Sequence, residues 1–300
     1  MRKIKTRIAW LVLLLLSVTL MGCHKGTASQ MLDRVTGQAG PSIETSNLEP
    51  SNLKVHFIDV GQGDSILLQT HNKTMLIDAG TRSSSDKLIK DLKKLGVEKL
   101  DVVVATHPHE DHIGGMPSVF KEFRVGKVYA PNASANTKIF QQFVEGVQSQ
   151  GLKFTQIERG TIIDFDEGIQ VKAVGPVGDT YEDYNNASAV IKVTTGKISY
   201  LFTGDAEASS EKQMIDTGDD LSATVLKVGH HGSDTSTSDE FLKAVNPKVC
   251  VISVGKDNKY NHPSKSTTEK LLKKDVYRTD ISGIITVATD GENISVETER

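Results

Sequence analysis

Two periods of apolar spacing run along this chain, and the switches between them mark its elements. Regular patterning begins at Leu53. Runs at 55–60, 65–68 and 73–77 predict strands, the first two joined across Gly61-Gln62-Gly63-Asp64. Leu88, Ile89, Leu92 and Leu95 then share one face of a predicted helix, capped by a serine among Ser83–Ser85 and stopped by Gly96. Val102 to Ala105 is a continuous apolar run, as in a strand buried on both faces. A strand at 126–130 and an amphipathic helix at 137–150 follow. Beyond them β-like runs recur at 153–157, 161–165, 169–174, 188–195 and 198–203, with Gly196-Lys197 as a hairpin turn between the last two. A helix at 206–217, a strand at 225–228, a helix near 238–245, a strand at 248–254, a helix near 266–274 and two closing strands complete the chain. Each half runs strands first and then alternates strand with helix. This order predicts an α/β (α+β) fold: two similar β-rich halves packed sheet on sheet, with helices outside.

The beginning of the chain follows neither period. Arg2, Lys3, Lys5 and Arg7 precede an apolar run from Ile8 to Met21. At about fourteen residues it is short of the roughly twenty a spanning helix needs, and right for the apolar stretch of a signal peptide. Leu20-Met21-Gly22-Cys23 resembles a bacterial lipobox, which predicts cleavage before Cys23 and lipidation of its thiol. Residues 1–22 are thus expected to be a lipoprotein signal peptide. Residues 23–52, rich in Ser, Thr, Gly and Pro, are expected to tether the lipid to a domain spanning 53–300. The domain would then hang from the extracellular face of the cytoplasmic membrane, or be secreted if the thiol carries no lipid.

Charge narrows the choice of partner. The leader holds four basic residues and no acidic ones, so its removal leaves 31 Lys+Arg against 38 Asp+Glu, a net −7. That balance argues against tight, nonspecific nucleic-acid binding over the whole surface. After lipidation only Cys250 remains as a thiol, inside Val249-Cys250-Val251-Ile252, where it reads as a small buried hydrophobe and not as part of a disulfide framework.

The chemistry gathers in loops that follow predicted strands. Of nine histidines, His107, His109 and His112 fall within six positions together with Asp111, directly after strand 101–105. Imidazole and carboxylate at this density are ligands for zinc-class ions, and the alternation serves two ions better than one. Asp205 ends the apolar run Tyr200–Phe202 plus Thr203-Gly204, where a carboxylate can bridge two cations or cap the helix that follows. His230 and His231 follow strand 225–228; His230 is read as the ligand and His231 as a partner of substrate or of the ligands, although residue type alone permits either. Asp78 ends a strand and is read as an acceptor that holds the histidine loop in place. His262 is a candidate acid or phosphate contact. Asn185-Asn186-Ala187-Ser188 supplies neutral hydrogen-bonding groups before a strand. His24, His56 and His71 are assigned no chemistry.

These residues resemble the metallo-β-lactamase superfamily, and more finely the extracellular metallo-hydrolase domain of ComEC-type DNA-uptake competence proteins and its stand-alone relatives. The resemblance is carried by His107-Pro-His-Glu-Asp-His112, Phe57-Ile-Asp-Val-Gly-Gln-Gly-Asp-Ser65, Asn185–Ser188, Thr203-Gly-Asp205, Gly229-His-His-Gly-Ser233 and His262-Pro-Ser264, across 53–290. It implies an αββα sandwich with a two-metal site at one edge between the sheets. His107 and His109 would serve one ion, Asp111, His112 and His230 the other, and Asp205 both. It also implies that Asn185, Asn186, Ser188 and Ser233 bind substrate, with Asp59, Asp64 and Asp78 behind the ligands.

Two departures accompany it. Members with a complete site carry another histidine before the bridging aspartate, but none lies between His112 and His230 here. The first site would be short of a ligand, completed by an asparagine oxygen and water, and manganese would suit it as readily as zinc. The multi-spanning channel portion of ComEC proteins is also absent. The expected activity is metal-dependent hydrolysis of phosphodiesters, with Asp111, His231 and His262 in catalysis and DNA among the possible substrates. Lys227, Lys256, Lys259 and Lys265 would offset local charge. The rival expectations are lactam or acyl ester hydrolysis, and a lipoprotein that binds metal or DNA without turnover, accessory to competence.

Overall fold

The computed structural model describes residues 52–178, 181 and 183–300. The expected leader, Cys23 and nearly all of the tether lie outside the described residues. Among the described residues no helix is long and apolar enough to cross a membrane.

Among the described residues fourteen strands form two sheets. The larger contains β1 (Leu53–Phe57), β2 (Ile66–Gln69), β3 (Thr74–Ile77), β4 (Lys99–Val104), β5 (Arg124–Ala130) and β6 (Phe154–Gln156), with β13 (Ile285–Thr289) and β14 (Ile294–Thr298) from the end of the chain. Its order is β14-β13-β1-β2-β3-β4-β5-β6. The smaller contains β7 (Gln170–Gly175), β8 (Val190–Thr195), β9 (Ile198–Phe202), β10 (Val225–Lys227), β11 (Val249–Ile252) and β12 (Asp275–Arg278), in the order β12-β11-β10-β9-β8-β7. Helices α1 (Ser85–Lys94), α2 (Glu110–Ile113), α3 (Met116–Glu122) and α4 (Lys138–Ser149) belong to the first half. Helices α5 (Ala208–Asp216), α6 (Asp239–Val245), α7 (Lys265–Lys270) and α8 (Thr279–Ser282) belong to the second.

The central strands are apolar on both faces because both faces are covered, and their period of two sorts each residue to a layer, whereas β6, β12 and β14 are largely exposed. Ile66 and Leu68, Val102 and Val104, Tyr200 and Phe202, and Val249 and Val251 share one core between the sheets. Leu67, Leu76 and Val103 pack outward with Leu88 and Leu92 of α1, Val119 of α3 and Phe143 of α4. Leu201, Leu226 and Cys250 pack on the opposite outer face with Met214 of α5 and Phe241 of α6. The layers are therefore helix, sheet, sheet, helix, the expected αββα sandwich. Burial pushes the Cys250 thiol up to about 12, in keeping with an inert core residue.

The halves are less alike than the pattern implied. Three strands, not two, follow α7, and β13 returns to the first sheet to pair antiparallel with β1. The apolar run 161–165 forms no strand, only an isolated bridge from Ile162 to Lys172. The helix expected near 266–274 ends at Lys270, four residues before β12 begins at Asp275. One feature of the topology places the site. β3, β4 and β5 run parallel, as do β9, β10 and β11, so their carboxyl ends open on one edge of the sandwich. In sheets of this kind ligands bind outside those ends.

Candidate metal centre

Asp78, immediately after β3, organises the histidine loop. Its Oδ1 accepts the Thr106 amide (2.8 Å), and its Oδ2 accepts the Thr106 hydroxyl (2.6 Å) and lies 2.8 Å from His112 Nδ1. With Nδ1 donating to the carboxylate, His112 turns Nε2 inward. The short helix α2, opened by His109, winds Asp111 and His112 toward the same space. The Gln62-Gly63-Asp64 turn lies against Asp111: a Cβ on Gly63 would sit 2.2 Å from the Asp111 carbonyl oxygen, so only glycine fits there.

Asp205 Oδ2 is the hub. It lies 3.1 Å from His112 Nε2, 3.4 Å from His231 Nε2, and 3.8 Å from both His107 Nε2 and His230 Nε2. His231 Nε2 is also 3.4 Å from Asp111 Oδ2. One donor atom from each of Asp111, His112, Asp205 and His231 falls within 4.8 Å of all the others. His112 Nε2, His231 Nε2 and Asp205 Oδ1 are nonetheless buried without a hydrogen-bond partner. Buried polar atoms are almost always bonded, so converging ligand atoms left unpaired by the protein are a donor set that fits a cation. A second convergence lies alongside, where His107 Nε2 and His109 Nδ1 are 3.0 Å apart.

Charge follows geometry. Burial alone would raise Asp205, yet His112 and His231 hold its carboxyl well below the usual range. Against burial, Asp205 and Asp78 raise His112 well above the ordinary imidazole value, and Asp205 and Asp64 do the same for His231. His107 is pushed well below it by burial and by His112.

The structure brings His231, and not His230, among the four converging donors, while His230 Nε2 stays 3.8 Å from Asp205 Oδ2. His231 is 1% exposed and joins Asp111, His112 and Asp205, so it is no surface partner of substrate. Two successive left-handed residues, His230 at φ 48° and His231 at φ 55°, turn the two rings to different surroundings. Such backbone costs about 1–3 kcal/mol per residue and is characteristic of functional sites. His231 Nδ1 donates to the Ser253 carbonyl (3.0 Å) and lies 3.3 Å from Asp64 Oδ1. Asp64 Oδ2 in turn pairs with Lys227 Nζ at 2.7 Å. Lys227 is wholly buried and cannot meet a substrate, contrary to the expectation that it offsets charge at the surface. Asp64 and Asp78 form a further acidic group with His112; Lys227 pairs with Asp64 Oδ2, and Thr106 and His112 engage Asp78, while Asp64 Oδ1 is buried without a hydrogen-bond partner.

His230 stands in a different network. Its Nδ1 lies 3.2 Å from Thr235 Oγ1 and 3.3 Å from Glu207 Oε1. Glu207 also accepts from the Asn185 and Asn186 amide groups, each at 3.4 Å, while Asn186 Oδ1 accepts the Glu207 amide. Asn185 Oδ1 is buried and unpaired. Ser188, expected to bind substrate, is fully buried: its hydroxyl accepts the Asp205 amide (3.1 Å) and lies 3.3 Å from His107 Nδ1. Ser233 is likewise buried, bonded to Thr235, and so serves the loop rather than a ligand in solvent. Asp59 is a correction too. It accepts from the Gly61 amide and pairs with Arg300, and so does not stand behind the cluster. His262 is half-buried with its ring 5.7 Å from that of His230.

Sequence reasoning missed Thr106, Glu207 and the inward role of Lys227. The last was readable, since a lysine inside the apolar run Val225–Val228 demands a buried partner. Glu207 stands two residues after Asp205, with nothing in its spacing to mark it.

Residues 58–256 match the family model of the metallo-beta-lactamase superfamily. The chain is a member of that superfamily. It is 31% identical over 252 residues to ComE operon protein 3 of Bacillus subtilis, covering 77% of this chain and 32% of the relative. It is 32% identical over 231 residues to competence protein ComA of Neisseria gonorrhoeae, covering 76% and 31%. The chain thus spans about a third of the length of these relatives. The metallo-beta-lactamase fold protein YhfI from Bacillus subtilis superposes with a TM-score of 0.53 at 12% identity, over 78% of this chain and 99% of that one, a likeness of fold. Membership of that superfamily fits the converging Asp111, His112, Asp205 and His231 as a candidate metal centre.

Proposed function

We propose that this chain hydrolyses phosphodiester bonds, with nucleic acid as its substrate, from a lipid anchor on Cys23 at the outer face of the cytoplasmic membrane. One observation carries the reading: Asp111, His112, Asp205 and His231 converge with unpaired donor atoms beside a second pair, His107 and His109. We assign the first four to one cation, and His107, His109 and the shared Asp205 to the other. Asn185 Oδ1, buried and unpaired, is the donor we assign in place of the missing histidine. An amide oxygen among the ligands favours a harder ion, which suits Mn²⁺ as well as Zn²⁺.

Divalent cations, when bound, activate water at neutral pH and offset charge building on the phosphoryl oxygens. The chain's own groups do the rest. Asp78 and the Ser253 carbonyl fix the tautomers of His112 and His231, so that both present Nε2 to the centre. His230 and His262, both partly exposed, are assigned to the substrate side, where one imidazole delivers a proton to the leaving oxygen. The competence role in the name of one relative, competence protein ComA of Neisseria gonorrhoeae, supports nucleic acid as the substrate.

The test is hydrolysis of bis-p-nitrophenyl phosphate by the chain loaded with Mn²⁺ or Zn²⁺. Turnover that Asp111→Ala abolishes is the expected result. Cleavage of nitrocefin without cleavage of any phosphodiester would replace the reading with a lactamase. DNA binding with no cleavage under either metal would replace it with an accessory binder.

A further inference from the structure

Tyr184 and Tyr260 are the exposed tyrosines among the described residues, at 39% and 52%, and both rest on histidines of the centre. Tyr184 and His109 are nearly perpendicular, with ring centroids 5.8 Å apart and planes at 84°. The Tyr184 hydroxyl donates to the Ser134 carbonyl (2.9 Å) and fixes the ring in place. Tyr260 lies nearly parallel to His262, 5.7 Å between centroids at 24°. Between them runs a row of imidazoles: His109 is 4.7 Å from His107, both His107 and His230 approach Asp205 Oδ2, and His230 is 5.7 Å from His262. The centre is thus flanked by one aromatic platform at each end of the row.

We propose that these tyrosines are stacking platforms for the unpaired bases on either side of the scissile phosphate, so that the substrate is a single-stranded polynucleotide. The inference rests on the phosphodiesterase reading above. Every base has a flat face, and aromatic side chains along a groove bind single strands without regard to sequence. Paired bases stack inside a duplex and cannot reach either ring. The charge is asymmetric in a way that suits a strand. Lys256, Lys259 and Lys265 are exposed around Tyr260, with Lys259 Nζ 4.9 Å from its ring centroid. That flexible cation can swing from the ring to a phosphate when a base takes its place. Asp183 precedes Tyr184 and is occupied by the Asn185 amide (2.7 Å), so the backbone track lies on the Tyr260 side.

The experiment compares anisotropy of labelled, cleavage-resistant phosphorothioate strands of equal length, with bases and abasic, alongside a duplex, on the metal-loaded chain. The base-containing strand should bind about 5- to 100-fold more tightly than the abasic one. Tyr184→Ala and Tyr260→Ala should each lose part of that preference, while phenylalanine at either position keeps it. Lys259→Ala should flatten the salt dependence by about one phosphate contact, a slope change of roughly 0.7 for a single strand. Equal affinity for base-containing and abasic strands, or a duplex bound as tightly as the single strand, overturns the platforms. The abasic comparison needs no variant and so survives misfolding of any of them. If bis-p-nitrophenyl phosphate is cleaved but bases make no difference, the platforms fail and the phosphodiesterase stands. If it is not cleaved, both readings fall together.

Discussion

The two sides of the metal centre are built differently. Around Asp111, His112, Asp205 and His231 the ligands are backed by buried charge, with Asp78 and Thr106 behind His112 and Asp64 and Lys227 behind His231. Around His107 and His109 the backing is partly open and mostly uncharged: Ser188 and Thr106 hydroxyls near His107, then the Asn185-Asn186 amides with the partly exposed Glu207 carboxylate and His230. The first arrangement holds its donors in position before any ion arrives. The second leaves room for exchange and for substrate. A centre of this kind should bind one cation firmly and the other loosely, with Asp205 common to both.

The largest effect expected from breaking the firm side is on folding. Lys227→Met leaves Asp64 buried without its counter-ion, which should cost about 3–5 kcal/mol. In a chain of this size that lowers the melting temperature by roughly 10 °C. Adding Asp64→Asn should recover most of it, and thermal denaturation of the single and double variants checks the pair. Next comes Asp78→Asn, which weakens the hold on His112 and should reduce cation affinity about 10- to 100-fold, read by titration against a chelator. On the loose side Asn185→Ala should affect only the weaker ion, lowering occupancy from two ions toward one at limiting metal while the tighter one stays.

The pH dependence should change sign with the metal. In the cation-free chain His112 and His231 have folded values raised well above the ordinary one. Their contribution to stability is therefore full below about pH 6.5 and is lost as pH rises through the folded values. Asp205 is depressed, so its contribution is present above about pH 4 and is lost as pH falls through its folded value. Cations need the same imidazole nitrogens proton-free, so binding releases protons and tightens as pH rises. Melting temperature against pH, with and without chelator, should give slopes of opposite sign above neutrality. The smallest effect belongs to Glu207→Gln, which keeps the amide contacts but loosens His230. It should change turnover several-fold at most and leave ion stoichiometry alone.

Much of this centre is legible in the chain because its ligands are local. Three histidines and an aspartate within six positions after an apolar strand have few other uses. Asp78 and Asp205 could be read because each ends a strand, and strand ends converge in parallel sheets. What stayed hidden depends on backbone and partners that spacing does not record. His230 and His231 are alike as residues, and only two consecutive left-handed conformations separate them. Asp59 and Asp64 lie in one turn region, yet Asp64 meets Lys227 and Asp59 meets Arg300, at the far end of the chain. The fold divides in the same way. Periodicity located β1 and predicted two closing strands, but which sheet those strands would join is a matter of long-range pairing, and β13 lies beside β1.

The most direct measurement is equilibrium dialysis of the chelator-stripped chain against Mn²⁺ and, separately, Zn²⁺, with bound metal counted by elemental analysis. Two cations per chain are predicted, one held at least about 10-fold more tightly than the other, and Asp205→Ala should release both. A chain that takes up neither ion, or one whose uptake survives the loss of Asp205, would contradict the account.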